Sequence, residues 1–85
     1  MPTTVAPETS VRLHVTALHE NVMLARITTV IALYDVDQFT YRSDPDGRAE
    51  AVVSIRDPRQ VERVAAKITR LVGVLDVLVE GAPAA

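Results

Sequence analysis

The residues that could do acid–base or metal chemistry in this 85-residue chain are two histidines and a closely spaced pair of carboxylates. His14 and His19 are five residues apart, and Asp35 and Asp37 precede an aromatic-containing stretch. Such groups bind metal ions or transfer protons when several of them converge. We expect His14 on the outer face of a strand and His19 in the following turn, so the two histidines do not converge. We expect Asp35 and Asp37 on the same face at the start of a strand and interpret them as a solvated strand entry.

Other catalytic motifs are equally weak. The serines (Ser10, Ser43 and Ser54) stand in no nucleophile-elbow context, and the three glycines form no phosphate-binding cluster. A chain without cysteine has no thiol nucleophile, no thiolate metal site and no disulfide. The sequence therefore predicts no catalytic residue, no metal ligand and no cofactor. A small enzyme would need a convergent acid–base pair, for which there is no clear candidate.

The elements that must position these residues follow from apolar periodicity. Alternation predicts strands over Val11–Leu18, Val36–Ser43 and Ala49–Arg56. Helical spacing from Met23 predicts a first helix that extends to about Leu33, with Asn21 as its candidate cap. The run Asp44-Pro45-Asp46-Gly47 predicts a tight turn between the second and third strands.

The last third of the chain predicts a second helix and a fourth strand. Asp57 is a suitable N-cap, Pro58 suits the first helical position, and Gln60 stands three residues after the cap. Gly73 is predicted to close the helix before a strand at Val74–Glu80. The buried face of this helix is predicted to contain six residues: Val61, Val64, Ala65, Ile68, Leu71 and Val72.

The order β-α-β-β-α-β predicts a ferredoxin-like α+β domain, with a four-stranded antiparallel sheet and both helices on one face. We expect the domain at residues 11–80, between tails at 1–10 and 81–85. The second strand should lie at a sheet edge, where it is a template for another chain. The helix-free face should carry His14, Thr16, Val52, Ser54, Asp76 and Leu78. These exposures predict a homodimer or docking on another subunit.

The composition of the chain excludes several classes of binding partner. A net charge of −2 offers no footprint for nucleic acid or an anionic membrane. The start of the chain does not read as a signal peptide and no apolar run approaches ~20 residues, so we expect a cytoplasmic protein without a membrane span. Proteins with this topology also serve other functions, but the motifs for those functions are missing from this sequence. Metal-transfer proteins need a Cys-x-x-Cys loop, RNA-binding proteins need aromatic residues on the central strands, and acylphosphatase-like enzymes need a Gly-rich loop that contains an arginine.

Segments spread between about Arg12 and Val79 resemble the ACT domain of acetolactate synthase small (regulatory) subunits. They are Val15–Ala17, Leu24–Ile27, Asp57–Val61 and Lys67–Val77. The resemblance implies a regulatory dimer that supports a thiamine-dependent catalytic subunit of branched-chain amino acid biosynthesis. It also implies an amino-acid effector, typically valine, bound between the loop after the first strand of one copy and the start of the second strand of the other.

Carried onto this sequence, the resemblance places the effector site at His19, Asn21, Val22, Met23, Asp37 and Gln38. The family's loop Asn falls on His19, its loop Gly on Val22, and its Asn-Ile pair on Asp37-Gln38, so these four positions carry other residues. A valine in place of glycine crowds a carboxylate, and we therefore expect weak or altered feedback. The alternative is a free-standing ACT homodimer that senses an amino acid or another small metabolite.

Overall fold

The computed structural model describes residues 11–80; the tails predicted at 1–10 and 81–85 lie outside the described residues. The elements follow the predicted order. They are β1 (Val11–Leu18), α1 (Met23–Ile31), β2 (Val36–Ser43), β3 (Arg48–Ile55), a 3₁₀ turn (Pro58–Gln60), α2 (Val61–Thr69) and β4 (Val74–Glu80). Three of the four strands have the predicted bounds, and β3 begins and ends one residue earlier than predicted. The α+β ferredoxin-like prediction is confirmed.

The strands form one antiparallel sheet in the order β2-β3-β1-β4. The predicted edge position of β2 is therefore confirmed, and β4 forms the other edge. Alternation decides which residues enter the core: Leu13 is fully buried, whereas its neighbours Arg12 and His14 lie on the opposite face. Register pairs Leu13 with Val53 of β3, so both central strands bury the same face.

The helices cover that buried face with apolar side chains at helical spacing. Met23 and Ile27 of α1 and Val64 and Ile68 of α2 are all fully buried. Burying an aliphatic side chain of this size stabilises the fold by about 1.5–3 kcal/mol. Two aromatic side chains of β2, Phe39 and Tyr41, are partly buried and pack against this core.

The turn at residues 44–47 and the N-cap at Asp57 form as predicted. In the turn at 44–47, Gly47 has φ of 90° and its N–H donates to the Asp44 carbonyl at 3.1 Å. At the start of the second helical segment, an Asp57 carboxylate oxygen accepts the Arg59 N–H at 3.0 Å, with Pro58 as the first residue of the turn. Hydrogen bonds from the Arg59 side chain and backbone lower the pKa of Asp57.

Helix ends differ from the predictions. Val22 rather than Asn21 occupies the cap position of α1, and no side chain caps it among the described residues. The helix ends at Ile31 rather than near Leu33, which is 73% exposed. Beyond Ile31, the Tyr34 N–H donates to the Ile31 carbonyl at 3.0 Å, a bond between residues three apart that closes a turn and does not continue the α-helix.

The end of α2 also comes earlier than predicted. This helix stops at Thr69, so Val72 is not on its buried face and is 75% exposed. Gly73 does not close the helix; it has φ of 97° just before β4, and its carbonyl accepts the Leu18 N–H at 2.8 Å. The Gln60 side chain makes no capping box, because its Oε1 accepts the Asp35 N–H at 3.1 Å.

Candidate functional site

The loop at residues 19–22, between β1 and α1, is held by contacts with distant segments. The His19 N–H donates to the Gly47 carbonyl at 2.8 Å. The His19 Nδ1 atom lies 3.0 Å from the Tyr41 hydroxyl, and the two rings are tilted by 48°. Burial raises the pKa of Tyr41. The loop is thereby tied to the end of β2.

The first turn of α1 points into this loop. The Arg26 N–H donates to the Val22 carbonyl at 2.9 Å, which starts the helical hydrogen bonding. Arg26 also reaches across the loop, because its Nη1 donates to the Val72 carbonyl at 3.0 Å and to Glu20 Oε1 at 3.3 Å. A helix start offers N–H groups and a positive dipole end to an anion.

Met23 occupies a different environment from the other predicted loop residues. His19, Asn21 and Val22 are exposed, whereas the Met23 side chain is fully buried. A Cβ at Gly73 would lie 2.6 Å from Met23 Cε, so glycine leaves room for this methionine. The side chain of Met23 therefore fixes the helix start in the core, and its backbone N–H donates to the Glu20 carbonyl at 3.0 Å.

Asp37 and Gln38, the predicted strand residues of the site, lie at the other end of the sheet. Asp37 Oδ1 accepts a hydrogen bond from Arg56 Nη2 at 2.6 Å, and this bond raises the pKa of Arg56. The register is irregular between Val36 and Gln38, so Asp37 is an extra residue in the ladder. Asp35 precedes the strand, which corrects the prediction that the two aspartates share one strand face.

One copy of the chain does not bring the two halves of the predicted site together. Both β1 and β2 pair antiparallel with β3, so their carboxyl ends lie at the same end of the sheet. The loop at 19–22 lies at that end. Asp37 is six residues upstream of Ser43, a distance of about 20 Å along an extended strand. The predicted halves are thus separated by almost the length of the sheet.

The helix-free face holds a recess that the residue types alone did not indicate. It has a volume of about 280 Å³ and is lined by Arg12, His14, Gln38, Thr40, Val52 and Ser54. His14, Val52 and Ser54 were expected on this face, whereas Arg12, Gln38 and Thr40 were not. Arg12 and Thr40 each stand between two apolar neighbours, and this alternation could have indicated their place. His14 Nε2 also bonds Glu80 Oε1 across β1 and β4.

The described part of the chain has neither a cluster of metal-binding side chains nor a membrane-spanning helix. Residues 11–80 contain no group of three or more histidine, cysteine or acidic residues placed to hold a metal ion. Neither helix in this region is long and apolar enough to cross a membrane.

Comparison with solved structures identifies the fold. The crystal structure of the ACT domain from GTP pyrophosphokinase of Chlorobium tepidum superposes with a TM-score of 0.72 at 17% identity, covering 84% of this chain and 96% of that one. The solution NMR structure of the ACT domain from the same protein gives 0.69 at 17% identity and covers 84% of each chain. The sequence matches no protein-family profile and no curated protein. The chain has the ferredoxin-like fold of these ACT domains.

Proposed function

We propose that this chain is a non-catalytic regulatory ACT-domain subunit that dimerises through β2 and supports an acetolactate synthase-like enzyme. One observation carries the proposal: the free edge of β2 runs from an acidic end at Asp37 to a basic end at Arg42, beside the loop at 19–22. An edge with opposite charges at its two ends is complementary to itself in antiparallel pairing.

Antiparallel pairing of two β2 strands joins the separated halves of the predicted site. If the pairing is centred between Phe39 and Thr40, Asp37 of one copy lies opposite Arg42 of the other, and Gln38 lies opposite Tyr41. Tyr41 contacts His19, so the start of β2 from one copy approaches the 19–22 loop of the other. The proposed site is incomplete in a single chain because its parts come from two copies.

The groups that meet between the two copies suit a small zwitterion such as an amino acid. In the first turn of α1 the Met23 N–H donates to the Glu20 carbonyl at 3.0 Å, whereas the N–H groups of Leu24 and Ala25 have no side-chain cap among the described residues and remain for a carboxylate. Asp37 of the second copy supplies a negative charge for an ammonium group. Val22 is 46% exposed at the loop and offers apolar contact while narrowing the space for the carboxylate. We therefore propose weak amino-acid regulation.

The acetolactate synthase-like partner follows from the sequence resemblance. The test mixes the purified chain with the acetolactate synthase catalytic chain of the same source. It measures the rate of acetolactate formation and whether the two chains elute together in size-exclusion chromatography. The proposal expects a higher rate together with a stable complex. An unchanged rate with separate elution would contradict the regulatory-subunit role. The matched control is an Arg63→Gln variant, which removes one exposed positive charge from α2, away from β2.

The free-standing amino-acid sensor is the second candidate, and the start of α1, which has no side-chain cap among the described residues, favours it. It expects a thermal shift with at least one of the twenty amino acids and no effect on a synthase. A ligand at ~100 times its dissociation constant should stabilise the chain by about 2.7 kcal/mol. No shift with any amino acid would count against this candidate.

A further inference from the structure

The recess on the helix-free face is built from two adjacent rows of side chains. Gln38, Ser54 and Arg12 are aligned across β2, β3 and β1 by the strand register. Thr40, Val52 and His14 form the next row in the same way, and together the six residues line about 280 Å³. This arrangement sets polar groups around one apolar side chain, Val52.

Ser54 is the unusual member of this recess. It is only 7% exposed, although it lies on the face without helices. Within residues 11–80, no hydrogen bond joins its hydroxyl to another group. A buried hydroxyl normally has a hydrogen-bond partner, because leaving one unsatisfied is unfavourable. The Ser54 hydroxyl is therefore available to a bound molecule.

Arg12 supplies positive charge beside this hydroxyl. Its cross-strand neighbour on β4 is Glu80, but the Glu80 carboxylate bonds His14. Across the described residues, no acidic group lies within ion-pairing distance of the Arg12 guanidinium. A guanidinium matches a carboxylate with two parallel N–H donors. The recess thus combines an available cation with a buried hydroxyl donor.

We propose that this recess binds a small organic carboxylate with a short apolar tail. Arg12 holds the carboxylate, the Ser54 hydroxyl and the Gln38 amide donate hydrogen bonds to it, and Val52 contacts the tail. The volume lies just below the usual range of ligand pockets, about 300–1,000 Å³, which restricts the ligand to a small molecule. The apolar floor favours a carboxylate with a hydrocarbon tail over inorganic phosphate.

This recess shares Gln38 with the predicted effector positions, but Arg12 and Ser54, which carry the proposal, belong to the recess alone. It opens on the face of the sheet, whereas the proposed dimer forms along the β2 edge. Binding here requires neither a second copy nor a catalytic partner, so the two proposals succeed or fail separately.

The test is a titration of the full ¹⁵N-labelled chain with sodium isovalerate, followed by amide chemical shifts. Sodium phosphate and sodium chloride at equal ionic strength are the comparison arms. We expect saturable shifts at Arg12, Gln38, Val52 and Ser54 with isovalerate, and weaker ones with phosphate. Arg12→Gln should weaken isovalerate binding about 10-fold, because the charged hydrogen bonds are lost. The matched control, Arg63→Gln, removes an equal charge from α2 and should leave affinity unchanged.

Ser54→Ala provides a second variant that keeps the packing volume. It should retain the wild-type spectrum away from the recess and weaken isovalerate binding about 3-fold or more. Three results would overturn the proposal: isovalerate shifts no larger than those with chloride, wild-type affinity in Arg12→Gln, or phosphate binding as tight as isovalerate. The last result would assign the recess to inorganic anions instead.

Discussion

Replacing Gly73 by alanine tests how the start of β4 fixes the start of α1. Gly73 has φ of 97°, and an added Cβ would lie 2.6 Å from Met23 Cε. Alanine at positive φ costs roughly 1–2 kcal/mol. Moving a fully buried side chain out of its preferred position costs about 1–2 kcal/mol more. Gly73→Ala should therefore destabilise the chain by roughly 2–4 kcal/mol.

Gly47→Ala is the matched control. Gly47 has a similar φ of 90°, but a Cβ there meets no atom within 4 Å. This variant carries the backbone strain alone and should lose about 1–2 kcal/mol. The difference between the two variants isolates the contact with Met23. Urea unfolding followed by circular dichroism measures both free energies of unfolding.

A double-mutant cycle with Met23→Ala checks the assignment. Met23→Ala alone should cost about 2–5 kcal/mol, because it empties a buried site. In that background Gly73→Ala should cost only the backbone strain, about 1–2 kcal/mol. Equal losses for the two glycine variants, or additive losses in the cycle, would refute the reasoning that Gly73 is required by the Met23 side chain.

Two further predictions concern the core and the charged cap. Leu13→Ala should lower the free energy of unfolding by about 2–5 kcal/mol, whereas Leu78→Ala on the helix-free face should change it by less than about 0.5 kcal/mol; equal losses in urea titrations would contradict the sheet register. The lowered pKa of Asp57 means that its charge stabilises the fold above its unfolded pKa, and this contribution is lost as pH falls through the folded pKa. Asp57→Asn keeps a capping oxygen but lacks the titration, so its urea midpoint should approach that of the wild type below about pH 4. A midpoint difference that stays constant with pH would contradict this reasoning.

Local pattern predicts the strands and the core because neighbouring residues on one strand must alternate between water and the interior. The bounds of β1, β2 and β4 follow from that alternation. The end of α2 could not be predicted in the same way. After this helix ends, the path of the chain depends on the hydrogen bond from the Leu18 N–H to the Gly73 carbonyl. This bond joins residues that are distant in sequence, so local spacing does not reveal it.

The candidate site was predictable only in part, for a related reason. The types at His19 and Asp37 follow from the sequence, but their separation within one copy depends on the parallel direction of β1 and β2. Burial of Met23 depends on space left by Gly73, which the spacing of the first helix does not reveal. The recess around Arg12 and Ser54 needed the cross-strand register, because its residues come from three strands.

The proposed regulation depends most on pairing of two copies through β2. The proposed pairing sets Asp37 of one copy against Arg42 of the other at two equivalent places in the dimer. Reversing either charge turns both contacts repulsive and should weaken dimerisation roughly 10-fold, since such cross-strand pairs contribute about 0.2–1 kcal/mol each. Because Asp37 also pairs with Arg56 and Arg42 with Glu50, the variants Arg56→Gln and Glu50→Gln control for loss of those internal contacts.

Sedimentation equilibrium of charge-reversed chains measures this directly. Asp37→Arg and Arg42→Asp should each shift the chain toward monomer, and the double variant should restore the wild-type dimer, because the opposed charges match again. Arg56→Gln and Glu50→Gln should each leave the dimer unchanged. A wild-type chain that sediments as a monomer, or a double variant that dimerises no better than the single ones, would contradict a regulatory site formed between two β2 edges.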